Sequence, residues 1–391
     1  MSKLDATRVL MLGHAAAHLG GESIQVKKFS SLLNGQIEEV IDLFQLFGEE
    51  YEPLAKLNYA LAESGEPPLF DVERARSICQ KLDERSSHNL LMLSFSSSLA
   101  ALLATGIQKK RRLISKFYVH HPSEKVFSAL YEPVNLLLTE SLLGNLRGAA
   151  YGIPESKLLY FPHHYPEIEL PEKAPTKEVV IGVISRFERG KNCECALEVC
   201  RRLVERGLSL KLILMGDFAT HTSDPTYQEN FARMLAAYEE APWFTWEREV
   251  VPYPAALHHY NRFDLCLQLS GSEAGSNIIV ELLGIGKPVI ALNASTNPYL
   301  FSGGALLVEK EPKIYSGQLN YEMPDMDLLE GSVEALVQSG KLRKEWGKKG
   351  KELARKRFHR DVLKERIPLL FESDRAKVQK LYDQDRKAYG F

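Results

Sequence analysis

Twice along this chain short apolar runs alternate with helical segments, and one proline-rich stretch divides the two series. In the first series, Arg8–Gly13 (RVLMLG) reads as a buried strand, followed by Gly20-Gly21 and a helix through Leu33. Asn89–Phe95 (NLLMLSF), Arg112–His120 (RLISKFYVH), Val134–Thr139 (VNLLLT) and Leu158–Phe161 are further strands, with helices predicted over Ser97–Thr105 and Ser141–Ala150. In the second series the strands are Val179–Ile184 (VVIGVI), Leu210–Met215 (LKLILM), Asp264–Leu269 (DLCLQL), Pro288–Leu292 (PVIAL) and Ala305–Val308 (ALLV). Helices are predicted over Asn192–Arg206 and Tyr227–Glu240. Such alternation builds parallel sheets from right-handed strand–helix–strand units, which makes the fold class α/β.

The divider is Pro162–Lys177 (PHHYPEIELPEKAPTK), with four prolines and no periodicity, the pattern of a linker. A chain of 391 residues exceeds one ordinary core and suits two domains of similar size. The expectation is a Rossmann-like domain over residues 1–170 and another over residues 178–372. The polar helical end, about residues 373–391, is free to cross back onto the first. Two doubly wound parallel sheets facing across a cleft would turn the carboxyl ends of their strands toward it, where open sheets bind ligands.

Charge and composition narrow the function. A net charge of −2 supplies no global basic field, so nucleic acid is not an expected partner. No apolar stretch approaches the roughly 20 residues of a membrane span, and MSKLDATRVLML lacks a signal-peptide layout, so a cytoplasmic location is expected. The five cysteines fit no zinc or redox spacing and read as small buried residues. Lys341–Arg360 holds ten Lys/Arg against two Glu, which reads as a solvated helix face. Together with Lys109–Arg112 it permits transient peripheral contact with an anionic membrane.

Chemistry concentrates in two segments of the second half. In Ser270–Ala291 (SGSEAGSNIIVELLGIGKPVIA) a strand ends, a loop of small residues follows, and a helix starts near Ser276. Ala274, Gly275, Ser276 and the neighbouring Asn277 let a phosphate approach backbone amides at that helix start. Glu273 in the loop and Glu281 in the helix can reach different hydroxyls of one extended ligand. In Ser185–Asn192 (SRFERGKN), Arg186 and Lys191 flank a tight turn at the end of a strand, placed to neutralise a diphosphate.

These segments resemble the donor site of glycosyltransferase family 4, whose members have the GT-B fold of two Rossmann-like domains. The family's Glu-x7-Glu pattern is met by Glu273 and Glu281, with GIGKPVIAL after it, and its Arg…Lys pair by Arg186 and Lys191. Leu257–Ser270 and Trp346–Phe358 resemble its preceding segment and C-terminal helix, so the likeness spans about residues 178–360. In the first half, Gly20-Gly21-Glu22 resembles the family's GGxE loop, and His120, with His121 as the competing assignment, resembles its active-site histidine. The sequence departs from the family at Ala274, at Leu282, and at FPHHYP, where Asn-Gly is usual.

The resemblance implies a retaining, metal-independent transferase that takes a sugar from a nucleotide diphosphate, UDP- or GDP-linked, to a glycan, glycolipid or small-molecule acceptor. Arg186 and Lys191 would stabilise the departing diphosphate, Glu281 would hold the ribose, Glu273 would position the sugar, and His120 would lie near the anomeric carbon. Gly20 and Gly21 would allow close approach to the donor phosphates. Asp325-Met326-Asp327 and Asp383-Gln384-Asp385 match a metal-binding Asp-x-Asp string, but neither follows a buried strand, and Asp325 suits a helix cap. The competing readings are a GT-B phosphorylase or epimerase and a degenerate GT-B protein that binds donor or scaffolds a partner enzyme.

Overall fold

The computed structural model describes residues 5–13, 21–42, 72–93, 111–116, 134–165, 168, 170–171, 173, 176–218, 224–249, 251, 255–311 and 322–389. The chain divides into two compact units, Met1–Pro162 with Arg360–Phe391, and His163–His359.

In the first unit, β1 (Asp5–Gly13), α1 (Gly21–Leu32), β2 (Ile37–Asp42), α2 (Val72–Asp83), β3 (Ser87–Met92), β4 (Arg112–Lys116), β5 (Leu136–Thr139), α3 (Leu142–Ala150) and β6 (Leu158–Tyr160) follow in order. All strand pairs are parallel, in the order β2-β1-β3-β4-β5-β6. Val9 to Leu12 on β1 and Leu90 to Met92 on β3 are fully buried. Strands covered on both faces carry continuous apolar runs, which is why these were legible. β2 (IEEVID) and α2 (VERARSICQKLD) were not anticipated. β2 is an edge strand with one neighbour, so it needs no apolar run.

The chain returns to this unit at Arg360. Leu363, Leu369 and Leu370, in two short 3-10 turns, join the core with Val378 and Leu381 of helix Arg375–Tyr389. Buried Arg366 locks that return: its Nε donates to the Tyr160 carbonyl at 2.8 Å, and its Nη2 pairs with Asp385 at 2.5 Å. One carboxylate of the second Asp-x-Asp string is therefore committed to an ion pair.

The second unit holds β7 (Val179–Ile184), α4 (Cys193–Glu205), β8 (Leu210–Met215), α5 (Pro225–Ala237), β9 (Phe244–Glu247), α6 (Ala256–Tyr260), β10 (Leu265–Gln268), α7 (Asn277–Gly284), β11 (Val289–Leu292), α8 (Asn297–Phe301), β12 (Leu306–Val308), α9 (Met326–Gln338) and α10 (Gly340–Arg357). Helix Arg375–Tyr389 of the first unit is α11. The sheet is parallel in the order β9-β8-β7-β10-β11-β12, the Rossmann order in which the first strand lies beside the fourth. Both sheets are thus doubly wound parallel sheets, as expected for an α/β protein. β9 (FTWE), again an edge strand, was not anticipated.

The predicted linker carries no helix or strand among its described residues, yet several of them are fixed to the second unit. The Tyr165 amide donates to the Phe358 carbonyl at 3.3 Å. Its ring lies where a side chain on Gly284 would be, a Cβ there falling 2.5 Å from the ring. Further along, Asn261 donates to the Pro171 carbonyl at 2.7 Å, and Lys173 pairs with Asp264 at 2.5 Å. The segment is a strap laid on the second unit. Among the described residues no helix is long and apolar enough to cross a membrane.

Candidate active site

In the Rossmann order the chain reverses direction across the sheet between β7 and β10, and the loops leaving the carboxyl ends of those strands part to leave a crevice. Both sequence-predicted segments sit there. The loop after β7 is anchored by Phe187, fully buried against Phe218, Phe231 and Trp246 with ring centroids 5.3 to 5.9 Å away. A 3-10 turn at Arg189–Lys191 follows, and then Asn192, with φ of 53° in the left-handed region. Asn192 is buried and its side-chain amide donates at 2.8 Å to the carbonyls of Leu269 and Glu322. The Gly271 amide donates to the Gly190 carbonyl at 2.9 Å. Two loops that are far apart in sequence are thereby fixed to each other.

That cross-link brings Lys191 and Glu273 together. Lys191 Nζ lies 2.8 Å from Glu273 Oε1 and 3.3 Å from Ser270 Oγ. The Glu273 backbone is clamped in turn: Ser295 Oγ accepts from its amide at 3.1 Å and donates to its carbonyl at 2.7 Å, and Thr296 Oγ1 donates to the same carbonyl at 2.9 Å. Arg186 is half exposed, with Glu188 at 3.5 Å. Ser276 caps α7, its Oγ accepting from the Ile279 amide at 3.3 Å, and Gly275 and Asn277 flank it at the helix start. Glu281 is on the same helix and buried. Lys191, Glu273, Ser276 and α7 therefore form one cluster, at the end of the sheet where the amide dipoles of α7 favour an anion.

Three parts of the neighbourhood escaped the sequence reading. Ser295 and Thr296 are ordinary hydroxyl residues in a loop, with no pattern to flag them. Gly216 follows β8 with φ of 137°, and a Cβ on it would fall 1.8 Å from the Ser185 carbonyl oxygen. Only glycine lets the loops after β7 and β8 meet. His163, in the FPHHYP departure, is buried, and its Nε2 lies 2.9 Å from the Gly275 carbonyl oxygen, so the strap touches the loop that leads into α7. A carbonyl only accepts, so Nε2 carries the proton.

The remaining predicted residues are less informative. Gly21 opens α1, whereas Gly20, His120 and His121 lie outside the described residues. Asp325 caps α9, its Oδ1 accepting from the amides of Asp327 and Leu328 at 3.1 Å each, so the first Asp-x-Asp string is a helix start.

Solved structures share this architecture. HepE of Anabaena in complex with UDP has a TM-score of 0.67 at 14% identity, covering 93% of this chain and 98% of that one. Sucrose-phosphate synthase of Thermosynechococcus elongatus gives 0.58 at 15%, again over 93% and 98%. TarM of S. aureus gives 0.62 at 15%, over 77% of this chain and 59% of its own. At such identities the likeness establishes the fold, which is GT-B. No curated protein sequence matches the chain. The family described as glycosyl transferases group 1 matches residues 166–353, a span that contains every residue of the cluster around Lys191 and Glu273.

Proposed function

We propose that this chain is a retaining glycosyltransferase that moves a sugar from a nucleotide-diphosphate sugar to a glycan, glycolipid or small-molecule acceptor. The observation that carries the reading is the Lys191–Glu273 pair, held between two loops at the switch point of the second sheet and beside the start of α7. Cationic groups and helix amides there suit a diphosphate, and a carboxylate next to them suits sugar hydroxyls.

The bond that breaks joins the anomeric carbon to a diphosphate oxygen, and the bond that forms joins that carbon to an acceptor oxygen. The acceptor proton leaves with the diphosphate. Negative charge grows on the departing group, so Lys191 and Arg186 act where charge develops, which is how an electrostatic site lowers a barrier. Glu281 holds the ribose and Glu273 positions the sugar. Retention follows the family resemblance, as do His120 near the anomeric carbon and Gly20 and Gly21 at the donor phosphates. No metal is required in this reading, because Lys191 and Arg186 supply the positive charge and both Asp-x-Asp strings have structural partners. UDP is the favoured nucleotide, since HepE was solved with UDP and with UDP-glucose. A cytoplasmic enzyme touching the membrane only peripherally fits the same reading.

Calorimetry with UDP- and GDP-sugars tests it. Wild type should bind one class, and Lys191→Ala and Glu281→Ala should each bind it more weakly by about tenfold, the loss of one charge-assisted hydrogen bond. Unchanged affinity in both variants would sink the assignment.

A further inference from the structure

Open sheets bind their ligands at the carboxyl edge, but the first unit places two arginines at the opposite, amino-terminal edge. β4 starts at Arg112, β5 at Leu136 and α11 at Arg375. Arg112, Arg375, Asn135, Ser156 and Ser373 line a depression of about 340 Å³, part of it open to solvent.

Arg112 is the unusual member. It is 6% exposed, yet it has no ion pair among the described residues. Nη1 donates to Ser373 Oγ at 2.8 Å and Nη2 to the Leu369 carbonyl at 2.9 Å, while the buried Nε–H has no acceptor among the described residues. A guanidinium offers five donors, and these bonds account for two of them. Burial, and then the like charge of Arg375, push Arg112 down to about 10. The Asp374 carboxylate also lines the depression; among the described residues it makes no ion pair with Arg112, and its Oδ1 accepts from the Lys377 amide at 3.0 Å.

A buried cation beside a second cation, without an ion-pair partner among the described residues, is costly to keep. An anion in the depression would remove the cost. The other donors converge on it. Asn135 Oδ1 accepts from the Leu113 amide at 2.7 Å, which leaves its amide nitrogen to donate. The hydroxyls of Ser156 and Ser373 add to the set. Donors from several directions and two arginines suit a tetrahedral dianion better than a planar carboxylate.

We infer that this depression binds a phosphate group, at a site that shares no residue with the cluster around Lys191. The group is either inorganic phosphate or a soluble phosphomonoester, or the headgroup of an anionic lipid, and the two sources are separable by experiment.

Inorganic phosphate is titrated into the full chain, at ionic strength matched with chloride, following heat and melting temperature. Saturable binding with a rise in melting temperature is expected, because a ligand of the folded state stabilises it. Arg375→Ala, an exposed position, should weaken phosphate affinity about tenfold, and Arg112→Gln at least as much. If Arg112→Gln does not fold, Arg375→Ala alone decides. Lys191→Ala should leave the response in place, which keeps failure of this site distinct from failure of the donor-site assignment. Absence of a saturable response overturns the inference. So does a response equal in wild type and Arg375→Ala, or one lost in Lys191→Ala and kept in Arg375→Ala. Vesicles containing phosphatidic acid then name the source. Co-sedimentation that phosphate competes away and Arg375→Ala abolishes indicates a lipid headgroup, and phosphate binding without vesicle binding indicates a soluble ligand.

Discussion

Lys191 Nζ lies 2.8 Å from Glu273 Oε1, so one ion pair closes the gap between the loop after β7 and the loop after β10. Both side chains are about one-fifth exposed, so water and ligand can reach the pair. In the proposed reaction a diphosphate arriving here would compete with Glu273 for Lys191, while a donor sugar would gain Glu273 as a partner. Glu273→Gln is therefore expected to leave affinity for free UDP unchanged or tighter and to weaken affinity for the intact UDP-sugar, by about tenfold. Parallel calorimetric titrations of the two ligands measure this. Equal weakening of both would show that Glu273 acts only by holding Lys191.

In the first unit Glu38, on edge strand β2, reaches the start of β3, which lies on the far side of β1 in the sheet. Its carboxylate accepts from the Ser86 amide at 3.1 Å, the Ser86 hydroxyl at 2.9 Å and the Ser87 amide at 2.6 Å, and also from the Ser87 hydroxyl. Burial alone would raise its pKa, but those four donors outweigh it and bring the group down to about 2 from an ordinary 4.5. A carboxyl depressed in the folded state stabilises above its unfolded pKa, and that contribution is lost as pH falls through the folded value. Glu38→Gln should thus destabilise the chain at pH 7 by about 1.5–3 kcal/mol, the range for hydrogen bonds to charged groups. Urea midpoints should show the gap from wild type narrowing as pH drops from about 4.5 toward about 2. A gap independent of pH would count against the carboxylate form as the stabilising one.

What was legible in the sequence followed burial. Strands covered on both faces, such as LKLILM at Leu210–Met215, have boundaries that agree with the structure, because an unbroken apolar run admits few other fates. Edge strands β2 and β9 had no such constraint and were missed. In the candidate site, Lys191, Glu273 and Ser276 were found because strand, small-residue loop and helix start form an ordered signal. Ser295, Thr296 and His163 were missed because their role depends on contacts 22, 23 and 112 residues away in sequence. Tertiary contacts of that range leave no local pattern.

Gly216 offers a test of how tightly the loops after β7 and β8 are packed. Gly207 also has a positive φ, 87°, but nothing lies within 4 Å of a Cβ there. Gly207→Ala should cost about 1–2 kcal/mol, the strain of a left-handed alanine. Gly216→Ala adds a collision with the Ser185 carbonyl and should cost about 3 kcal/mol or more. Ser185 adjoins Arg186, so donor affinity should fall as well. Denaturant unfolding of both variants measures the difference, and equal costs would show that the contact at Ser185 relaxes freely.

All five cysteines are buried and none is in a disulfide. Burial pushes the thiols of Cys193 and Cys195 up to about 12 and those of Cys200 and Cys266 higher still. Thiolate is the reactive form, so these side chains are inert in the folded protein. A colourimetric thiol reagent at pH 8 should therefore label the native chain slowly and label all five sites at once in denaturant. Fast labelling of Cys193 or Cys195 in the native state would show that the start of α4 opens.

His163 is where the strap meets the chemistry. Its Nε2–H donates to the Gly275 carbonyl at 2.9 Å, next to the Ser276 cap that starts α7. The bond fixes the loop that the proposed function sets against the donor phosphates, so His163 acts there as a positioning residue. His163→Ala frees that carbonyl and should raise KM for the nucleotide sugar about five- to tenfold, with kcat changed less. His163→Asn keeps a donor and should recover part of the loss. A merely structural contribution would lower the melting temperature in both variants without moving KM.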